Sequence, residues 1–308
     1  MVKAAKSSRP HRWFNARQRS IIQVLTGATL WGLSGTASQV LFHADHFRAA
    51  WLVSIRMLVS GAVLVSWGLV HHNSPSRALI RHTKWWPRLL AFAVFGLLGV
   101  QYTYFKAIAD GNAASATLLQ YLGPPLIVGY VALSSRRWPS PPTWMALLLA
   151  VLGTFFLATG GHLHRLEVPA PALIWGLVSA ACLAFYTLAP LPVIHRYDAL
   201  AVVGWGMLIG GVVSLGLGPV WRLPPGNWSV SAVVLIAFVV LLGTLAAFSL
   251  YLGSLRNLSP DETALFATAE PIAAVLASML FLHVRFDGFG IVGSLFIVVA
   301  VVILSRAR

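Results

Sequence analysis

The chain has 308 residues, of which 58% are hydrophobic and only 10% are charged. Soluble domains carry about 25% charged residues, so this composition excludes an ordinary soluble globule and predicts a polytopic membrane protein. The net charge of +14 does not indicate nucleic-acid binding, because the basic residues lie in the amino-terminal tail and in short loops between apolar segments.

Ten apolar segments are long enough to cross a bilayer, whose ~30 Å hydrocarbon core requires about 20 residues of helix. They lie at residues 20–42, 48–70, 88–107, 113–133, 142–160, 170–190, 199–218, 230–254, 262–282 and 287–305. A basic tail at residues 1–19 precedes them, and the connections between them are short. The sequence therefore predicts an all-helical integral membrane protein of the cell membrane with ten transmembrane helices.

The distribution of Lys and Arg predicts the orientation. With the amino terminus inside, sixteen of the 22 basic residues fall on the cytoplasmic side and four on the opposite side, while Arg56 and Lys106 lie inside or border spans. Because cytoplasmic loops are enriched in Lys and Arg, both termini are predicted to be cytoplasmic.

One segment in the first half of the chain resembles one segment in the second half. They are YFKAIADGNAASATLLQYLGP at 104–124 and YLGSLRNLSPDETALFATAEP at 251–271, and they share Tyr, Leu and Pro at an offset of 147. Gly61 and Gly210 pair at an offset of 149, and Gly153 and Gly293 at 140. These landmarks predict two five-helix repeats, at residues 20–160 and 170–305. An odd number of spans per repeat inverts the second copy in the membrane, as in secondary transporters that bind substrate between repeats.

The chain resembles the EamA-type ten-span members of the drug/metabolite transporter superfamily. The resemblance rests on GATLWGLSGTASQ at 27–39, on Arg56, on YFKAIADGNAASATLLQYLGPP at 104–125 and on SPDETALFATAEPIAAVL at 259–276. It implies facilitated or ion-coupled movement, usually efflux, of amino acids, related metabolites or drug-like molecules. The first repeat has Gly123 where the second has Glu270, so it lacks a symmetric carboxylate.

Arg56 lies about 8 residues into its predicted span, or ~12 Å deep at 1.5 Å per residue. An ionisable group at that depth is costly, so it requires a reason. A guanidinium can bind a substrate carboxylate through two parallel hydrogen bonds. It can also be a structural group that reaches the interface or satisfies backbone carbonyls at a helix break. The sequence leaves both interpretations open.

Glu270 is equally deep from the other face and is followed by Pro271. A carboxyl group there suits proton coupling or the binding of a substrate ammonium, and a bridge to Arg56 is possible at these depths. Pro271 lacks a backbone donor and so frees a carbonyl one turn earlier, which is how discontinuous transporter helices build binding sites. The alternative is an interhelical contact that only shapes the bundle.

Several aromatic residues fall inside spans instead of at the interfaces where belt aromatics belong. They are Trp31, Tyr102, Tyr121, Tyr186, Trp205 and Tyr251. Helical spacing puts Trp31, Ser34 and Ser38 on one face of the first helix, and Thr117, Tyr121 and Pro124 on one face of the fourth. Such faces suit a cavity for an amphipathic molecule, although interhelical packing is the alternative for any one of them.

The remaining polar residues are assigned to turns and caps. Lys106, Asp110 and Asn112 are predicted to form a solvated turn with a helix cap, and Ser259 to Glu262 form a helix-start pattern. The single cysteine, Cys182, has no partner for a disulfide. No phosphate-loop or HExxH motif is present, so we expect no enzyme activity, cofactor or metal.

Together these observations predict a secondary transporter that works by alternating access. The predicted cargo is an amino acid or a similar small amphipathic metabolite, and the alternative is proton-coupled export of cationic or drug-like compounds. Substrate-binding or coupling roles are predicted for Arg56, Glu270, Trp31, Ser34, Tyr102, Tyr121, Tyr186 and Tyr251, with helix breaks at Pro124 and Pro271. The expected partners are a small-molecule substrate and the lipid bilayer, without nucleic acid, and the protein is expected to be a monomer or homodimer.

Overall fold

A computed structural model describes residues 15–70, 75–136, 140–162, 166–224 and 226–306, so most of the basic tail lies outside the described residues. Regular secondary structure in these ranges is helical. Its long helices are α1 (Ala16–His43), α2 (Ala49–Val70), α3 (Thr83–Asp110), α4 (Ala113–Ser134), α5 (Pro141–Thr159), α6 (Ala170–Ile194), α7 (Ala199–Ser214), α8 (Val230–Ser254), α9 (Glu262–Leu282) and α10 (Gly288–Arg306). A short helix, Pro75–Arg81, joins α2 to α3.

Eight of these helices in the described ranges are long and apolar enough to cross a membrane. The two others are α1 and α7. Helix α7 has only 16 residues, and α1 has 28 but carries many Gly, Ser and Thr residues that lower its mean hydropathy. An all-helical membrane protein is therefore confirmed, whereas ten spans with cytoplasmic termini stay a prediction.

The two halves contain the same backbone irregularities. Helix α3 holds a π-helical segment at Phe92–Leu98, and α8 holds one at Phe238–Ala246. Helix α4 is interrupted at Tyr121 and Leu122 just before its prolines, and α9 is interrupted at Thr268 just before Pro271. Arg136 and His283, which are 147 positions apart, end α4 and α9 in the left-handed conformation.

Helix packing joins the first five helices to the last five. Helix α2 packs on α7, α5 on α10, and α4 on α9. Helix α1 packs on α8 and α9, and α6 makes the corresponding contacts with α3 and α4. The pattern is unchanged when α1–α5 and α6–α10 are exchanged. The centre of the molecule is therefore built from both halves.

Glycine allows the closest of these helix contacts. A Cβ atom on Gly153 of α5 would lie 2.7 Å from the carbonyl oxygen of Gly293 on α10, and one on Gly293 would lie 2.6 Å from that of Gly153. Helices α2 and α7 meet in the same way, since a Cβ on Gly61 would overlap Leu208 and one on Gly211 would lie 2.9 Å from the Leu58 nitrogen. Small residues let membrane helices approach closely, so these glycines hold the two halves together.

Replacing Gly153 by Val should destabilise the bundle, because the added carbons have no space against α10. We expect a loss of about 1–3 kcal/mol, as is typical of overpacking, visible as a lower Tm in detergent. Gly129→Val is the matched control, because no heavy atom lies within 4 Å of a Cβ at that helical glycine. Equal Tm values for the two variants would contradict this account of the α5–α10 contact.

Candidate functional site

A cavity of about 340 Å³ lies in the centre of the bundle. It extends from buried Arg56, Gln101 and Glu270 to the exposed residues Thr187 and Ala264. Its wall consists of Trp31, Ser34, Arg56, Val100, Gln101, Tyr104, Gln120, Tyr121, Pro124, Ile127, Val128, Leu183, Tyr186, Thr187, Phe248, Tyr251, Ala264, Ala267, Glu270, Val301, Leu304 and Ser305. These wall residues lie on α1, α2, α3, α4, α6, α8, α9 and α10, so both halves of the chain contribute to the cavity.

The cavity extends toward the face of the bundle where α1 and α9 begin and α10 ends. Arg17, near the start of α1, pairs with Glu262 at the start of α9 at 2.6 Å. Ala264 of α9 and Ser305 near the end of α10 both line the cavity. At the opposite face the rings of Phe47, Trp51 and Trp228 pack together, with centroids 4.9–5.8 Å apart.

Arg56 is 5% exposed and is held by two contacts across the bundle. Its Nε donates a hydrogen bond of 2.9 Å to the Thr244 hydroxyl on α8, and its guanidinium lies 4.6 Å from the centroid of the Phe105 ring on α3. A cation over an aromatic face is attracted by the ring quadrupole. Among the described residues, Nε makes the only hydrogen bond of this guanidinium, which leaves its terminal nitrogens for a ligand.

The π-helical segment of α8 positions the Thr244 hydroxyl. This hydroxyl donates to the carbonyl of Val239, five positions earlier, at 2.8 Å, while its oxygen accepts from Arg56. The wider π turn thus directs a polar group toward the centre of the bundle. Single π turns inside α-helices are frequent at functional sites.

Glu270 is 9% exposed and contacts Tyr121 of α4. The Tyr121 hydroxyl lies 3.0 Å from Glu270 Oε2 and 2.8 Å from the carbonyl oxygen of Ala267. Ala267 is four residues before Pro271, so its carbonyl is the one that loses its helical donor to the proline. Tyr121 therefore satisfies the carbonyl that the α9 break exposes, as well as contacting the carboxyl group.

Arg56 and Glu270 line the same cavity, but they do not form the bridge that the sequence made possible. The ion pairs in the described part of the chain are Arg17 with Glu262 and Lys106 with Asp110. Each buried charge instead binds a neutral hydroxyl, Thr244 or Tyr121. The cavity thus offers a cation and an anion to a third group.

Aromatic rings form much of the remaining wall. Trp31 packs edge-on against Phe248, with centroids 4.9 Å apart, and lies 5.2 Å from Tyr251. Tyr186 stacks on Phe92 of the α3 π segment at 5.5 Å. This wall suits the apolar part of an amphipathic molecule.

The structure brings most of the predicted site residues together. Arg56, Glu270, Trp31, Ser34, Tyr121, Tyr186, Tyr251 and Pro124 line the cavity. Tyr102 does not: its ring packs edge-on against Trp175, with centroids 6.0 Å apart. Pro271 is buried beside the cavity and acts through the backbone.

Sequence reasoning missed three residues that shape the site: Gln101, Tyr104 and Thr244. Gln101 is a polar residue six positions before the end of a predicted span, and this is the signal that could have selected it, whereas Tyr104 lies only three positions before that end. The Tyr104 hydroxyl donates to the Thr117 hydroxyl at 2.8 Å, and it fits because Gly35 has no side chain there. No sequence signal separates Thr244 from other span threonines, because its role comes from the π turn.

The cap assignments agree with the structure, whereas Lys106 and Asp110 lie in the last turns of α3 and are partly buried instead of forming a solvated turn. Lys106 pairs with Asp110 at 3.1 Å. Asn112 caps α4 by accepting from the Ser115 nitrogen, and Ser259 and Glu262 form a capping box at the start of α9. Among the described residues, no group of three His, Cys, Asp or Glu side chains is placed to hold a metal ion.

Comparison with known proteins identifies a family. The sequence pattern of the EamA-like transporter family matches twice, at residues 18–159 and 170–306. YicL of Salmonella typhimurium, described as an uncharacterized inner membrane transporter, is 34% identical over 290 residues, which are 94% of this chain and 95% of that protein. The threonine/homoserine exporter RhtA of Escherichia coli K12 is 29% identical over 196 residues, or 63% of this chain and 62% of the relative.

A solved crystal structure has the same fold. It superposes with a TM-score of 0.62 at 21% identity, covering 94% of this chain and 96% of that one.

Replacing Tyr121 by Phe should destabilise the protein at the interruption of α9. The variant leaves the Ala267 carbonyl and the Glu270 carboxyl without their hydroxyl partner in a buried place, at a cost of about 1–3 kcal/mol. We expect a lower Tm in detergent. Tyr102→Phe is the matched control, because that hydroxyl has no hydrogen bond among the described residues and lies outside the cavity. If both variants have the same Tm, the contacts of the Tyr121 hydroxyl with Ala267 and Glu270 do not stabilise the interrupted α9.

Proposed function

Because the chain belongs to the EamA-like transporter family, we propose that it moves a small zwitterion, an amino acid by preference, across the cell membrane by alternating access. The observation that carries this proposal is the central cavity, in which a buried arginine and a buried glutamate are present but do not pair with each other. A zwitterion supplies a counter-charge to both. We expect a transport protein without enzyme activity.

The charges favour a zwitterionic cargo on energetic grounds. An unpaired charge within a membrane protein is expensive, and its cost falls when a partner of opposite charge binds. The free terminal nitrogens of Arg56 match the two oxygens of a carboxylate. Glu270 offers a carboxyl group to an ammonium, and the ring wall around Trp31 accepts an aliphatic part. A cavity of about 340 Å³ lies within the range of small-molecule sites.

The relatives support this choice of cargo. RhtA is named as an exporter of threonine and homoserine, which are small zwitterions. Its alignment covers 63% of this chain, so the likeness supports the class of cargo and not a particular amino acid.

Alternating access follows from the arrangement of the two halves. We propose that residues 20–160 and 170–305 are inverted repeats with both termini cytoplasmic, and that the protein has ten spans. The cavity then extends to the cytoplasmic side, and the cluster of Phe47, Trp51 and Trp228 closes the outer side. Rocking of one half against the other would separate this cluster and close the inner opening.

A second candidate is proton-coupled export of a cationic compound, favoured by the contact between Tyr121 and Glu270. The tyrosine hydroxyl has one proton and two acceptors, Ala267 and Glu270. A protonated Glu270 can donate to Tyr121 while Tyr121 donates to Ala267, so the network stays complete without cargo. A cation could then replace that proton.

Transport by purified protein in liposomes tests the first proposal. We expect uptake of labelled threonine or another small amino acid, and a loss of about 100-fold or more in kcat/KM for Arg56→Ala and Glu270→Gln, because each leaves one charge of the cargo unpaired. The controls are Arg17→Ala and Glu262→Gln, which remove an exposed ion pair of the same residue types. Unchanged transport in both cavity variants would rule out these roles.

An imposed pH gradient separates the two candidates. A zwitterion facilitator should equilibrate labelled amino acid at the same rate with and without the gradient. Proton-coupled export should instead move organic cations, such as a fluorescent dye, only with the gradient, and Glu270→Gln should abolish that dependence. Movement of cations alone would overturn the amino-acid proposal and leave the fold and family assignment intact.

A further inference from the structure

Two buried polar groups in the cavity wall lack partners. Gln101 of α3 is 5% exposed, and neither its Oε1 nor its Nε2 has a hydrogen bond within the described residues. Ser34 of α1 is 2% exposed, and its hydroxyl likewise has none there. Both residues line the central cavity. Buried polar atoms are almost always hydrogen-bonded, so each exception requires an explanation.

Comparable residues nearby satisfy their polar groups within the protein. On α1, Thr36 donates to the Gly32 carbonyl at 3.3 Å and Ser38 donates to the Ser34 carbonyl at 2.7 Å. The Gln120 amide, also in the cavity wall, donates to Ser179 at 2.8 Å. Gln101 and Ser34 differ from these neighbours, although short bonds to the preceding turn are available to any helical serine.

Gln101 lies on the same side of α3 as the residue that contacts Arg56. It lies one helical turn before Phe105, whose ring carries the Arg56 guanidinium at 4.6 Å. Residues four apart share a helix face, so Gln101 and Phe105, whose ring contacts the Arg56 guanidinium, are on the same side of α3. Ser34 reaches the cavity from α1, where it packs against Gly243, the residue before the Arg56 partner Thr244.

We infer that Gln101 and Ser34 form a hydrogen-bonding subsite that selects cargo with a neutral side-chain group able both to donate and to accept, such as a hydroxyl or a carboxamide. The inference rests on the proposed function and narrows its substrate class. Arg56 and Glu270 bind the two charged ends of every amino acid alike, so they do not distinguish side chains. A carboxamide and a hydroxyl in the wall do distinguish them, because they are paired only when the cargo is polar.

The selection follows from the cost of unpaired groups. An aliphatic cargo offers no donor or acceptor, so the Gln101 and Ser34 atoms stay unpaired when it binds, whereas a polar cargo gains hydrogen bonds with them. Sites built to hydrogen-bond a substrate hydroxyl or amide reject analogues that lack it far more strongly than apolar pockets reject an extra methylene. We therefore expect at least about tenfold preference for polar cargo in kcat/KM.

The experiment uses the full chain in liposomes and two pairs of labelled amino acids of similar size. Threonine is compared with valine, and asparagine with leucine. The wild type should prefer threonine and asparagine by at least about tenfold. In Gln101→Met the preference should fall toward unity, chiefly through a higher KM for the polar amino acids. Gln39→Met is the control, because Gln39 lies outside the cavity wall and its amide oxygen already accepts from the Ala113 nitrogen at 2.8 Å, and it should keep the wild-type ratio.

A second readout separates a ligand group from a structural one. In empty, detergent-solubilised protein, Gln101→Met removes an unpaired buried amide and should leave Tm unchanged or raise it. Gln39→Met breaks a hydrogen bond and should lower Tm. The Tm increase caused by added threonine should disappear in Gln101→Met and persist in Gln39→Met.

Three results would overturn the inference. One is a wild type that transports all four amino acids without preference, and another is a Gln101→Met variant that keeps the preference. The third is a Gln101→Met variant whose Tm falls in the empty state as that of Gln39→Met does, since this would make Gln101 structural. A wild type that transports none of the four would overturn the proposed function itself.

Discussion

The structure depends on one constraint: backbone groups in a bilayer must find partners within the protein, because the hydrocarbon offers none. The proline in α9 and the π segment in α8 both disturb the regular helical bonding close to the cavity. Each disturbance is coupled to a residue of the first half. Tyr121 donates to the carbonyl that Pro271 frees, and Arg56 donates to the hydroxyl that the π segment presents. The site is therefore located where the two halves complete one another.

The sequence predicts those features of this arrangement that depend only on residues close together in the chain. A proline always frees the carbonyl four residues earlier, so Pro271 could be linked to a site from sequence. That Tyr121 would be the partner could not, because this depends on how α4 packs against α9. Helical spacing likewise placed Trp31 and Ser34 on one face correctly, whereas Tyr102, which is also an aromatic residue inside a span, packs against Trp175. Position in a span does not determine which neighbour a side chain meets.

The helices α1 and α7 also show that sequence alone does not reveal which parts of the chain are surrounded by protein. Hydropathy predicts α7 as an apolar segment of membrane length at 199–218, but the helix ends at Ser214, and its 16 residues, although apolar, are fewer than the about 20 that a span requires. Helix α1 is long enough, yet its Gly, Ser and Thr residues lower its mean hydropathy, and most of these residues are buried inside the protein. Both helices are central to packing: α7 lies on α2 across glycine contacts, and α1 contacts α8 and α9. Helices that are surrounded by protein need less apolar surface than helices that face lipid.

The two halves share a backbone plan but differ in chemistry. At the offset of 147, Glu270 corresponds to Gly123, and at the offset of 149, Arg56 corresponds to Trp205. The positive group therefore comes only from the first half and the negative group only from the second. The proposed zwitterionic cargo would contact Arg56 with one end and Glu270 with the other, and would thereby connect the two halves. Its binding energy would therefore differ between arrangements of the halves that change the distance between Arg56 and Glu270. Ligands shift a conformational equilibrium only through such a difference in affinity. An asymmetric pair of charges on a symmetric scaffold meets that requirement, which a matched pair of carboxylates would not meet for a zwitterion.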